Sequence, residues 1–200
     1  MTEPVENIRT FIAVTIDEDV RNSLERAIGK LKRTGAHVKW VPANNIHLTL
    51  SFIGDTSPDD TPHIKQVLNT IAAQNNPFEF MVYGLGFFGT DRFPRIVWAG
   101  LKGSLSPLFS LQEQTVAGLE SLQIGTDSKK YKPHLTLGRV RSSRNAVELL
   151  EAIAKQKQNV FGSIKVESIV LMKSELHPDG ARYSPLHIVR FSEKTPNVES

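Results

Sequence analysis

Along residues 45–53, and again along 132–140, polar and apolar side chains alternate with the two-residue period of a half-buried strand. Both stretches carry the same tetrapeptide, His47-Leu-Thr-Leu50 and His134-Leu-Thr-Leu137. Ahead of the first, residues 9–16 are rich in β-branched side chains and predict another strand. Val20, Leu24, Ala27, Ile28 and Leu31 then recur on one helical face, and Gly35 supplies a stop. A short strand is predicted at 38–41. A second helix should open at Ser57 and Pro58, carrying Ile64, Val67, Leu68 and Ile71 inward, before a strand at 78–85. The second half predicts a strand at 95–101, a helix at 107–122, the 132–140 strand and a helix at 145–155. One strand over 163–172 follows, then a turn at His177-Pro-Asp-Gly180 and a last strand at 183–191.

These elements come in the same order twice. Ala13 precedes His47 by 34 positions and Ala99 precedes His134 by 35, each span holding a strand, a helix and a linker. A tandem duplication accounts for the shared order and the shared tetrapeptide together. The expected architecture is an α+β fold of two pseudo-symmetric lobes. Each lobe is an antiparallel sheet with outer helices, and a cleft for the active site lies between them. The repeat halves run over about 9–89 and 95–192 of one catalytic domain spanning 1–200, with polar tails at 1–7 and 194–200.

Composition narrows the classes. Apolar residues are 40% of the chain and charged residues 22%, as in an ordinary soluble protein. No apolar run approaches the roughly 18 residues of a membrane span. The acidic N-terminus lacks the basic and apolar regions of a signal peptide, so a cytoplasmic location is expected. The chain is expected to act as a monomer. The absence of cysteine excludes disulfides, thiolate metal ligands and a Cys nucleophile. A net charge of +3 favours a polyanionic partner if the basic residues gather on one face.

The repeated tetrapeptide carries the chemistry. Residues two apart on a strand share a face, so His47 and Thr49 point one way and Leu48 and Leu50 the other; His134 and Thr136 are backed in the same way by Leu135 and Leu137. A single such strand would be an amphipathic strand and nothing more. Two copies, facing each other across a cleft, offer a base for an attacking oxygen, an acid for a leaving oxygen and two hydroxyls for phosphate oxygens. No cofactor is expected. A metal site is not expected either, because zinc-like metals take three or four protein ligands and His37, His63, His177 and His187 fall in unrelated elements. Lys130 and Lys132 are in phase with His134 and could meet further phosphates of a ligand, whereas Arg139 is out of phase on a regular strand. Trp40, Phe88, Phe93 and Tyr131 are candidates for stacking a terminal base, although packing is the expected role of Trp40 and Trp98.

At these residues the chain resembles the two-histidine (2H) phosphoesterase superfamily. Within it, the chain is similar to the RNA 2′,3′-cyclic phosphodiesterases, the LigT- or ThpR-like proteins also called 2′-5′ RNA ligases. Arg9-x-Phe-Ile-Ala13, Trp40, Ser51-Phe-Ile-Gly54, Phe93-Pro-Arg-Ile-Val-Trp98, Gly138-Arg139 and the late Leu171-x-x-Ser-x-Leu176 extend the likeness over residues 8–192. The resemblance implies hydrolysis of an RNA terminal 2′,3′-cyclic phosphate to a 2′-phosphomonoester, with reversible 2′-5′ RNA joining. It implies His47 as proton donor and His134 as proton acceptor, with Thr49 and Thr136 holding the phosphate. RNA ends are then the partner, with no membrane involved. Two alternatives come from other classes: a non-catalytic RNA-binding module, and a phosphoesterase for small cyclic nucleotides.

Overall fold

The computed structural model describes residues 6–126, 130–178 and 180–192, so residues 1–5 and 193–200 of the polar tails and Asp179 of the predicted turn lie outside it. Its elements in chain order are β1 (Ile8–Val14), α1 (Glu18–Lys32), β2 (Val38–Trp40), β3 (Leu48–Thr56), α2 (Asp60–Gln74), β4 (Phe78–Gly89) and β5 (Pro94–Lys102). They continue with α3 (Ser106–Ser121), β6 (Leu135–Val140), α4 (Ala146–Ala154), β7 (Val160–Val166), β8 (Ser168–His177) and β9 (Gly180–Arg190). The strands form one antiparallel sheet in the order β7-β4-β5-β6-β3-β1-β8-β9, and β2 adds to β6. Helices against antiparallel strands make this an α+β fold.

The helices form for the reasons their patterns give. On α1, Val20, Leu24, Ala27, Ile28 and Leu31 are all buried, while Glu18 and Asp19 begin the helix and Lys30 and Lys32 end it, complementing its dipole. Gly35 follows with φ +68°, a left-handed conformation open to glycine. The second helix starts at Asp60 rather than at Ser57 and Pro58. The Ser57 carbonyl instead accepts the Asp60 N–H at 3.1 Å, and its hydroxyl accepts the Asp59 N–H at 3.2 Å, so a tight turn comes first.

The predicted strand over 163–172 is two strands. Ile164 and Val166 alternate with exposed Ser163 and Lys165, then the period breaks at exposed Glu167, and Ile169, Val170 and Leu171 are buried in succession. Strand β7 ends one edge of the sheet beside β4, and β8 lies in the other half between β1 and β9. A change of period inside an apolar run was the available signal, and counting apolar residues alone hides it.

The sheet has two halves, β4-β5-β6-β7 and β3-β1-β8-β9, and the chain laces between them. Helix α1 follows β1 yet packs on β7 and α4, while α3 follows β5 yet packs on β3 and α2. Strand β4, built from the first half of the chain, pairs with β5 and β7. The two halves meet at one ladder pair, Leu48 opposite Leu135. Both leucines are 0% exposed, within a core that also holds Leu50 and Leu137. Truncating either Leu48 or Leu135 to alanine is expected to cost about 2–5 kcal/mol in urea unfolding. The double variant should cost less than the sum, because the two side chains share one contact.

Candidate active site

The Leu48–Leu135 pair fixes the geometry on the opposite face of the sheet. Two antiparallel strands registered there set Thr49 across from His134 and His47 across from Thr136. The histidines become diagonal neighbours, a relationship that separates such residues by roughly 7–8 Å. Neither histidine lies inside the regular ladder, which begins one residue later at Leu48 and at Leu135. Each sits on an extended lead-in, the first after a short 3-10 turn at Ala43–Asn45 and the second after Pro133.

Both rings are oriented by the same local bond. His47 Nδ1 donates to the Asn45 carbonyl at 2.8 Å, and His134 Nδ1 donates to the Lys132 carbonyl at 2.7 Å. A carbonyl only accepts, so Nδ1 carries the hydrogen in both and each Nε2 is left for the ligand. The Asn45 side chain in turn donates to the Ala181 carbonyl at 2.6 Å, tying the lead-in to β9. His47 is wedged between Phe11 and Tyr183, with ring centroids at 4.7 and 5.3 Å. Phe88 stands edge-on to His134 at 4.9 Å.

Burial sets the electrostatics. Desolvation lowers the pKa of His47 below its ordinary 6.5; the bond to Asn45 opposes this, and the nearby charge of His134 adds to it. Desolvation lowers His134 too, opposed by the Lys132 bond and reinforced by Arg139. His47 is the more deeply buried of the two. Thr49, Thr136 and His134 line a cleft of about 860 Å³ together with Lys130, Lys132 and Arg139. His47 is not part of that lining; its ring packs against Phe11 and Tyr183, diagonal to His134 across the seam.

Arg139 corrects the sequence-based phase argument. Val97 pairs with Gly138 and Trp98 with Thr136, which leaves Leu137 as an extra residue, a β-bulge on β6. The bulge puts Leu137 and Gly138 both in the core and turns Arg139 out into the cleft. The first motif has the same device. Ile12 pairs with Ser51 and Ala13 with Thr49, leaving Leu50 as the extra residue and bringing Phe52 into the cleft. Burial runs identically along both strands: buried, half-buried, buried, buried, exposed. Phe52 and Arg139 were therefore both missed, and glycine at position 138 was the one local hint of a bulge. The Arg139 charge also acts on Tyr183, whose hydroxyl burial raises and Arg139 and Arg9 draw back down.

The other candidates divide. Lys130, Lys132, Tyr131 and Phe88 line the cleft. Phe93 is 58% exposed beside Arg92, and Trp40 packs over Gly138, so neither is brought to the histidines. Trp98 covers Gly86, where a Cβ would collide with its ring, and lies against Gly100. Nε2 of His187 meets Asn69 at 2.9 Å and Nδ1 of His37 meets Ser142 at 3.2 Å, both away from the site. Among the described residues no three His, Asp or Glu side chains group as a metal site would require, and no helix is long and apolar enough to cross a membrane.

Two His-x-Thr strands set diagonally across the seam of one antiparallel sheet define a two-histidine phosphoesterase. The family model described as "LigT like Phosphoesterase" matches residues 14–98 and 104–183, one His-Leu-Thr-Leu tetrapeptide in each segment, and the chain belongs to this family. It is 34% identical over 185 residues to an RNA 2′,3′-cyclic phosphodiesterase of Methanothermobacter thermautotrophicus, covering 92% of this chain and 99% of the relative. It is 31% identical to a protein of the same name from Archaeoglobus fulgidus, covering 90% of this chain and 99% of that one. A crystal structure from Thermus thermophilus superposes with TM-score 0.78 at 30% identity, covering 92% and 98% of the two chains.

The lowered histidines make stability depend on pH. A histidine with its folded pKa below 6.5 binds fewer protons folded than unfolded, so stability is full above about pH 6.5 and falls as pH drops below it. The melting temperature of the free protein is expected to fall between about pH 7.5 and 5.5. The double variant His47→Gln, His134→Gln should flatten that slope in the same calorimetric series.

Proposed function

We propose that the chain hydrolyses the terminal 2′,3′-cyclic phosphate of RNA to a 2′-phosphomonoester, with His134 as proton acceptor and His47 as proton donor. Water loses a proton to Nε2 of His134 and its oxygen bonds to phosphorus. The bond from phosphorus to the 3′-oxygen breaks, and that oxygen takes the proton from Nε2 of His47. The observation that carries this reading is the diagonal placement of two Nδ1-anchored imidazoles about the Leu48–Leu135 pair. Relatives over most of the chain that bear the name RNA 2′,3′-cyclic phosphodiesterase support the substrate.

The surroundings support the division of roles. His134 lines the open cleft from which water arrives, as a base that activates water must, while His47 is covered by Phe11 and Tyr183 and relies on the bound anion for its proton. In the free protein both rings are biased to the neutral form. A bound phosphodiester anion opposes that bias, so one ring holds a proton while the other stays neutral. The hydroxyls of Thr49 and Thr136 and the guanidinium of Arg139 would hold the non-bridging oxygens, where charge grows in the transition state. Lys130 and Lys132 add positive charge for the RNA backbone. With a ribose hydroxyl in place of water, the same exchange joins RNA ends through a 2′-5′ linkage. One chain supplies both histidines, which supports action as a monomer, and a cytoplasmic location fits this substrate.

His47→Ala and His134→Ala should each lower kcat on a 2′,3′-cyclic phosphate by about a hundred- to ten-thousand-fold while the fold survives. Chromatography of the product should show the 2′-phosphate, and a 3′-phosphate would reverse the assignment of the leaving oxygen. Activity should persist in a chelator; a strict metal requirement would overturn the acid–base scheme. Arg139→Ala should lower kcat/KM by roughly a hundred-fold, as the loss of one charge-stabilising donor does.

A further inference from the structure

The catalytic spacing is a property of the seam and not of either half of the sheet. His47 belongs to the lead-in of β3 and His134 to the lead-in of β6, and the ladder between those strands consists of one pair. Pro133 has no N–H and cannot extend it. The exchange of helices holds the halves together over long distances, without adding a backbone bond between β3 and β6 at the seam. Strand β2 ties to β6 farther along, where the Val41 N–H donates to the Leu137 carbonyl at 2.8 Å. None of these bonds reaches the lead-in of His134.

One side chain does. The Tyr131 hydroxyl donates to the main-chain carbonyl of Thr49 at 3.0 Å, crossing from three residues before His134 to the residue two beyond His47. Phe109 stands edge-on to the Tyr131 ring at 6.0 Å and holds it in place. Burial raises the hydroxyl's pKa, so it stays protonated and remains a donor throughout the working range. We infer that Tyr131 is a positioning residue: its hydroxyl replaces the missing ladder bond at the seam and sets the separation of His47 and His134 about the phosphorus. This rests on the two-histidine reading of the site. It assigns the hydroxyl to the protein's own geometry, where the sequence had offered the ring as a stacking platform for a base.

The inference is tested with Tyr131→Phe, which keeps the ring and its contact with Phe109 and removes one oxygen. Misplacement of a catalytic group by an ångström can cost as much as a hundred-fold in rate, and a partial loosening should lower kcat by about ten-fold. KM for a 2′,3′-cyclic mononucleotide should stay within about two-fold, because no substrate contact is lost. The second readout needs no substrate: the two histidine titrations followed by NMR in the free protein. His47 and His134 should influence each other less in the variant, with Arg139 and Tyr183 unchanged as neighbours. An unaltered kcat with unaltered titrations would overturn the inference, and so would a change confined to KM, which would place the hydroxyl on the substrate. If the unmodified protein lacks the activity, the proposed function fails, while the titrations still decide the role of Tyr131.

Discussion

Two leucines packed on one face of the sheet determine where two imidazoles stand on the other. Leu48 and Leu135 are fully buried and directly opposed, and a strand gives alternate residues to alternate faces. Hydrophobic burial, which has no direction of its own, is thereby converted into a defined relation between His47, Thr49, His134 and Thr136. A one-residue slip of either strand would send its histidine into the core and its leucine into water. The penalty for that slip, several buried leucines at once, is what keeps the site in register.

The arrangement places two ionisable rings where neither is comfortable as a cation. Desolvation acts on both, and each suffers from a neighbouring positive charge, His134 for His47 and Arg139 for His134. Among the described residues, the free site thus contains positive groups and neutral rings without a balancing carboxylate in the cleft lining. A phosphodiester supplies the missing negative charge and simultaneously makes the protonated state of one ring favourable. On the proposed mechanism, recognition and activation of the acid would be one electrostatic event, and a neutral ligand of the same shape would gain neither.

Much of this was legible in the sequence because duplication writes the same pattern twice. The four motif residues and the amphipathic faces of α1 and α3 follow from spacing alone, since burial enforces periodicity. Three things were not legible. Arg139 was assigned to the wrong face because a bulge adds a residue without altering the composition of the strand. The split at Glu167 was hidden inside an apolar run whose two parts face different partners. The lacing of α1 and α3 across the seam depends on long-range packing, which local patterns do not encode. Tyr131 was noticed for its ring, although its hydroxyl is the group that makes the contact.

The same pseudo-symmetry that exposes the site also poses a problem, since a symmetric pair has no reason to send a proton one way. The structure breaks the symmetry at the bulges. Equivalent positions carry Phe52 in the first motif and Arg139 in the second, so one bulge brings an apolar ring to the cleft and the other a cation. The surroundings of the rings follow suit, with Phe11 and Tyr183 closing over His47 and the cleft opening at His134. In the proposed reaction the open cleft at His134 suits an attacking water, and the ring-covered side at His47 suits the departing sugar oxygen. On the proposed mechanism, direction would come from residues that differ between the two halves, while the identical residues would supply only the means of proton transfer.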